Sequence, residues 1–258
     1  MINILLPIHE LTNDIKDNLD TAVESLKKQT VTEFTLTVIH TPNKDLVEYL
    51  TNYDFGVPTN LLLNEGQSDF CSQINLGASV SESKYISILE VDDELTPTYV
   101  SNTIEHINAY PEIDTFLPIV VDTDNKGEFI SFTNESVWAM NLTEDIGYLD
   151  NESLKAYENY QTSGLVIKTE VFNEIGGLKS NIKLSFGYEF LLRLTHQSKT
   201  VYVIPKLTYR HTNFRKGSLF WLYKNGNSKL SPQEAAFWLE TAKKEYFFSD
   251  NREINYEV

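Results

Sequence analysis

The sequence predicts an α/β fold: a mostly parallel sheet flanked by helices, with antiparallel strands in its second half. Three observations carry this. Four short apolar runs in the first 110 residues are each followed by a helix-period segment, the alternation that builds parallel strands with crossover helices. Beyond residue 110 the strands lie close together around turn residues, as antiparallel pieces do. The 258 residues are 41% hydrophobic and 22% charged, ordinary for a globular protein and enough chain to bury a large core without a metal or disulfide staple.

Residues 2–7 (INILLP) form an apolar run ended by proline, a buried strand. Ile15, Leu19, Ala22, Val23 and Leu26 recur at helical spacing over residues 13–29. Residues 34–39 (FTLTVI) are β-branched and aromatic, hence a second strand. A short helix follows Asn43 with Leu46, Val47 and Leu50 inward, and residues 60–64 (NLLLN) give a third strand. Asp69 caps a helix carrying Phe70, Ile74 and Ala78, and residues 85–89 (YISIL) are a fourth strand. Thr96-Pro97 is expected as N-cap and first residue of a helix with Val100, Ile104 and Ile107 inward. Residues 115–121 and 128–133 read as a hairpin around Asp124-Asn125-Lys126-Gly127. A strand over 164–167, a Thr169-capped helix stopping at Gly176-Gly177, a helix over 187–196 and strands over 201–204 and 207–211 follow. Ser231-Pro232-Gln233-Glu234 opens a last helix with a capping box. The expected organisation is one domain over 1–214, in two halves (1–110 and 111–214), with a helical extension over 215–258.

The formal charge is −16, which argues against general binding to nucleic acid. One cysteine, Cys71, excludes a disulfide framework. The N-terminal MINILLPIHE is too short an apolar run for a signal peptide or a membrane span. The expectation is a chain with no transmembrane segment and a cytoplasmic location.

In an open α/β sheet, ligands bind beyond the carboxyl ends of the strands. Residues 8–10, 40–43, 65–68 and 90–94 should therefore share one crevice. The sharpest segment there is Glu90-Val91-Asp92-Asp93-Glu94, straight after a buried strand. Clustered carboxylates repel unless solvent or a cation separates them, and their oxygens are natural ligands for Mg²⁺ or Mn²⁺. Strand alternation would send Glu90 and Asp92 to one side and Asp93 to the other. One carboxylate would then meet a metal and another a sugar hydroxyl; the alternative is a solvated acidic turn ahead of the next helix.

The order of segments resembles the GT-A-fold glycosyltransferases of the family 2 type. Ile4-Leu5-Leu6-Pro7 is similar to that family's opening strand, and Ser25-Leu26-Lys27-Lys28-Gln29-Thr30 to its "S-hydrophobic-x-x-Q-T" helix end. Asn75-Leu76-Gly77, then residues 84–93, resemble its asparagine-glycine helix and its "Y-I-x-hydrophobic-D-x-D-D" strand. Gly176-Gly177-Leu178, Phe190-Leu191-Leu192-Arg193-Leu194 and Tyr209-Arg210-His211 are similar to its "G-G-F" turn, arginine-bearing helix and "Y-R-x-H" strand.

The resemblance implies a Rossmann-like GT-A fold and a nucleotide-diphospho-sugar donor, most simply a UDP-sugar. It implies a glycan or other hydroxyl acceptor, Mn²⁺ or Mg²⁺, and single displacement with inversion. It places Asp92 and His211 on the metal and Glu90 near the nucleotide ribose. Pro7, His9, Glu10, His40, Asn75, Glu90 and Asp92 are expected on the donor side, and Asp93, Trp138 and Tyr160 on the acceptor side. The chain also departs from the pattern. His40-Thr41 replaces the aspartate that reads the nucleobase, Ile74 replaces the basic residue before Asn75, and Glu90 replaces the first aspartate. The family's catalytic carboxylate falls on Phe186-Gly187, which cannot take a proton, and Glu189 is the nearest substitute, with Asp145 a remote one. The departures leave a rival reading, a GT-A-fold binding or structural module without catalysis. A nucleotidyltransferase would bring a glycine- and lysine-rich phosphate loop where the chain has Ile8-His9-Glu10-Leu11.

Overall fold

Along β1 (Ile2–Ile8), side chains alternate between two apolar layers: Ile2, Ile4, Leu6 and Ile8 enter one, Leu5 the other. A strand buried on both faces reads as a continuous apolar run, which is why INILLP could be recognised without alternation. The computed structural model describes residues 1–135, 147–213, 215–216, 221–223 and 229–256.

The described strands form one sheet in the order β3 (Thr59–Leu63), β2 (Phe34–His40), β1, β4 (Tyr85–Ile88), β9 (Val166–Lys168), β6 (Thr115–Thr123), β10 (Val201–Thr212), β5 (Glu94–Leu95). β7 (Phe129–Thr133) pairs with β6, and β8 (Tyr148–Leu149) with β10. β1, β2, β3 and β4 pair in parallel, while β9 runs antiparallel to both β4 and β6. β4 and β6 therefore point the same way, and β10 pairs in parallel with β6. This brings the carboxyl ends of β1, β4 and β10 to one rim, so His211 shares it with the acidic segment after β4.

Helices cover both faces. α1 (Asn13–Lys27), α2 (Lys44–Asn52) and α4 (Tyr99–Ala109) close the layer that receives Ile4 and Leu36. α3 (Phe70–Ser79), α5 (Asn151–Ala156), α6 (Thr169–Glu174), α7 (Phe186–His196) and α8 (Pro232–Glu245) close the other. Trp238 and Ala242 of the last helix, and Tyr246 at its C-cap, are buried in the same layer as Phe190 and Leu191 of α7. Each fully buried Leu, Ile or Phe contributes about 1.5–3 kcal/mol relative to exposure.

Three local expectations are corrected. α4 begins at Tyr99, not at Pro97. Its first turn is held from the segment just after α1: Gln29 Oε1 accepts from the Val100 N–H at 3.0 Å, and Gln29 Nε2 donates to the Thr96 carbonyl at 2.8 Å. Thr169 is the first residue of α6 rather than its cap, its hydroxyl donating to the Ser83 carbonyl at 2.6 Å. The strands expected over 201–204 and 207–211 are one strand, β10, with irregular register around Leu207; Pro205 there has no N–H to give a ladder.

Candidate active site

β4 ends at Ile88, and the chain turns at once, the Asp93 N–H donating to the Glu90 carbonyl at 3.1 Å. The extended geometry expected through residues 90–93 is thus absent, and the turn swings Asp93 back beside Glu90. Glu90, Asp93 and His211 each place a possible ligand atom within 4.8 Å of the others, and all three are buried.

Asp93 has no exposure and is fully engaged. It accepts from Tyr209 Oη at 2.8 Å and from the Thr212 N–H at 3.1 Å, and it faces His211 Nδ1 at 3.0 Å. The same Tyr209 oxygen accepts from the Glu90 N–H at 3.2 Å, and Ser163 Oγ donates to Glu90 Oε1 at 2.6 Å. Asp92 differs: its Oδ2 is buried without a hydrogen-bond partner among the described residues. Its carbonyl accepts from Arg215 Nη1 at 2.6 Å.

The electrostatics follow from burial. Loss of solvent, then the Asp93 charge, pushes Glu90 up to about 7, against the pull of His211 and the Ser163 hydroxyl. Burial, followed by Asp93 and Glu90, holds Asp92 well above the ordinary carboxylate range. Burial alone would lower His211, but Asp93, with Glu90 and Asp92 behind it, lifts it to about 10. Asp93 thus favours a proton on His211, while burial favours the neutral forms of Glu90 and Asp92; a divalent cation would displace those protons. A divalent cation fits here. The donors grouped within reach of one ion are the oxygens of Glu90 and Asp93 and the His211 imidazole; Asp92 lies outside that group, and its partnerless Oδ2 is a further buried acceptor next to it in sequence.

Glu90, the cluster's one member on the lining, and its neighbour Asp92 wall a cleft of about 320 Å³, where they and Pro7 and His9 meet Phe70 and Gln73 of α3. A second cavity of about 200 Å³ adjoins it, lined by Glu158, Tyr160, Thr162, Gly187 and again Glu90. Phe70, Glu90 and Phe186 line both.

Pro7, His9, Glu90 and Asp92 are therefore brought together as the crevice argument expects, and Tyr160 lies in the adjoining cavity. Other expected site residues lie elsewhere. Glu10 is outside the cleft lining, on the surface 3.6 Å from His9. His40 is buried behind the rim, its Nδ1 3.0 Å from the Thr41 carbonyl. Asn75 clamps the turn after α6, both amide atoms being spent on the backbone of Leu178 at 2.8 Å. Asp93 is buried within the cluster, with no surface to offer an acceptor. Trp138 and Asp145 lie outside the described residues.

Glu189 is the plainest correction. It has no exposure, and both carboxylate oxygens are held by Arg193, at 2.9 and 3.0 Å. Lys179 Nζ adds a third contact at 3.0 Å. α7 starts at Phe186, so Glu189 lies in its first turn, lining neither cavity. Gly187 does line the second cavity, and a Cβ there would meet Thr162 Oγ1 at 2.8 Å. Sequence reasoning missed Ser163, Phe70 and Phe186 as lining or cluster residues. Ser163 carried no signal, since its partner Glu90 is 73 residues away.

A parallel core sheet with an acidic strand end at the rim, completed by a histidine from a late strand, defines a GT-A-like architecture. Residues 17–247 match the model of the family described as glycosyltransferase like family 2, and the chain belongs to that family. An uncharacterized glycosyltransferase of Haemophilus influenzae is 24% identical over 222 residues, covering 85% of this chain and 71% of that protein. The S. aureus TarS structure in complex with UDP-GlcNAc superposes with a TM-score of 0.69 at 13% identity, over 95% of this chain and 66% of that one. GalNAc-T7, solved with UDP, GalNAc and Mn²⁺, gives 0.55 at 13% identity, over 81% of this chain and 43% of that one. At such identities the likeness is one of fold, and the chain spans only about two thirds of TarS and less than half of GalNAc-T7. No helix among the described residues is long and apolar enough to cross a membrane.

Proposed function

We propose that the chain is a metal-assisted glycosyltransferase that moves a sugar from a nucleoside-diphospho-sugar, a UDP-sugar in the first instance, to a hydroxyl acceptor with inversion. The observation that carries this is the buried group of Glu90, Asp93 and His211 at the strand end, together with Asp92, a cleft-lining residue whose buried Oδ2 has no partner among the described residues. TarS solved with UDP-GlcNAc and GalNAc-T7 solved with UDP, GalNAc and Mn²⁺ support the donor class.

Glu90, Asp92 and His211 would hold a divalent cation, with Asp93 orienting His211 from behind. Such a cation supplies positive charge to the diphosphate as it leaves. Pro7 and His9 bound the donor cleft, and Phe70 and Phe186 keep its inner wall dry. Two cavities meeting at Glu90 favour a donor in one and an acceptor in the other. Attack from the side opposite the leaving group is a single displacement, which inverts the anomeric centre.

Gly187, packed against Thr162 where the family keeps a carboxylate, favours a second reading: a module that binds donor without turning it over. The test is nucleoside-diphosphate release from a panel of UDP-, GDP- and dTDP-sugars with sugar acceptors, with Mn²⁺ and with chelator. Metal-dependent release supports the enzyme; binding without release across the panel supports the module.

A further inference from the structure

The acceptor-side cavity needs a group that takes a proton, because a hydroxyl is a poor nucleophile at neutral pH. From the residues that line it, we infer that Glu158 is the general base of the transfer; this rests on the donor reading above.

Among the described residues lining that cavity, the carboxylates are Glu90 and Glu158. Glu90 belongs to the cation cluster, and its Oε1 already accepts from Ser163. Tyr188 is spent too: its hydroxyl donates to the Leu154 carbonyl at 2.8 Å, and burial pushes its proton loss up to about 12. The start of α7 offers nothing, because Gly187 has no side chain and Thr162 fills the space beside it. Glu158 remains, with its side chain 40% exposed, so the carboxylate is hydrated and able to meet a solvent-borne acceptor.

Its position is built rather than loose. The Asn134 side chain ties the segment that follows Glu158, donating to the Gln161 carbonyl at 3.2 Å and accepting from the Gln161 N–H at 2.9 Å. The Asn159 side chain donates to the Phe132 carbonyl at 3.1 Å. From the other side Lys243 of α8 pairs with Glu158 Oε1 and anchors the last helix there. In the step, the acceptor O–H proton passes to the Glu158 carboxylate as the acceptor oxygen bonds to the anomeric carbon. The bond from that carbon to the diphosphate oxygen breaks, and the diphosphate leaves with the electron pair.

The experiment measures UDP release from the panel's UDP-sugars, alongside calorimetric UDP binding with Mn²⁺. Glu158→Gln is expected to cut kcat by roughly 10²-fold or more. Donor KM and UDP affinity should stay unchanged. Glu158→Asp should recover part of the rate. Lys243→Met separates chemistry from anchoring: it keeps the carboxylate and should retain most of the turnover. Two variants falling alike would mean that Glu158 serves only to dock α8, and full turnover in Glu158→Gln would also overturn the inference. Wild-type protein that binds Mn²⁺ and UDP but releases nothing would overturn the base while leaving the donor site standing. Absence of UDP binding would overturn both.

Discussion

Replacing Glu189 by Gln separates a structural carboxylate from a catalytic one. Glu189, Arg193 and Lys179 are all essentially unexposed, and the glutamate is the acid that pairs both cations. Arg193 is further engaged with the Ile175 and Gly177 carbonyls, and Lys179 with the Glu245 carbonyl at 2.8 Å. Removing the negative charge leaves two buried cations without their acid. Breaking a buried ion pair from one side costs about 3–5 kcal/mol. Gln retains an acceptor oxygen for Arg193, which favours the lower half of that range. At about 2–4 °C per kcal/mol for a chain of this size, the midpoint should fall by roughly 6–16 °C. Thermal unfolding by circular dichroism measures this, and UDP affinity below the transition should be preserved. An unchanged midpoint together with a hundredfold loss of turnover would refute the reasoning and return Glu189 to the chemistry.

Other expectations follow from the same geometry. Tyr209→Phe removes the hydroxyl shared by Asp93 and the Glu90 N–H, and should cost about 1–3 kcal/mol in urea unfolding while weakening Mn²⁺ binding. Gly164 has φ +68°, and a Cβ there would lie 2.4 Å from the Tyr209 ring. Gly164→Ala should therefore cost roughly 2–5 kcal/mol from left-handed backbone and overpacking together, read as a lower denaturant midpoint. Asp114 loses solvation on folding, but the Thr200 N–H and Lys168 overcompensate and hold its carboxyl below the ordinary range. Its contribution is therefore present above the unfolded value, about 3.9, and lost as pH falls through the folded one. Asp114→Asn should lower the urea midpoint at pH 7 and cease to do so in strong acid.

Local patterns carried most of the fold into the sequence. β1, β2 and β4 were legible because short apolar runs end where the crevice begins, and α8 because its capping box is contiguous: Ser231 and Glu234 bond each other's backbone N–H. The start of α4 was misjudged because its cap comes from Gln29, 71 residues before Val100 in sequence terms. The same limit governs the site. Asp92 and Glu90 could be singled out as neighbours after a strand, and His211 by its place after Tyr209-Arg210. Asn75 and Asp93 were misassigned because their partners, Leu178 and Tyr209, lie 103 and 116 residues away. Glu189 had a visible clue, since Arg193 stands four residues on along a helix with Phe190, Leu191 and Leu192 between them. That i,i+4 spacing is the one at which helical side chains pair.

The most direct measurement is calorimetric titration of UDP into the wild-type chain and into Asp92→Ala, each with Mn²⁺ and with chelator. Mn²⁺ is expected to tighten UDP binding to the wild type by about tenfold or more, equivalent to about 1.4 kcal/mol. In Asp92→Ala the two conditions should give one affinity. Equal UDP affinity with Mn²⁺ and with chelator in the wild type would contradict a cation-assisted donor site at Asp92.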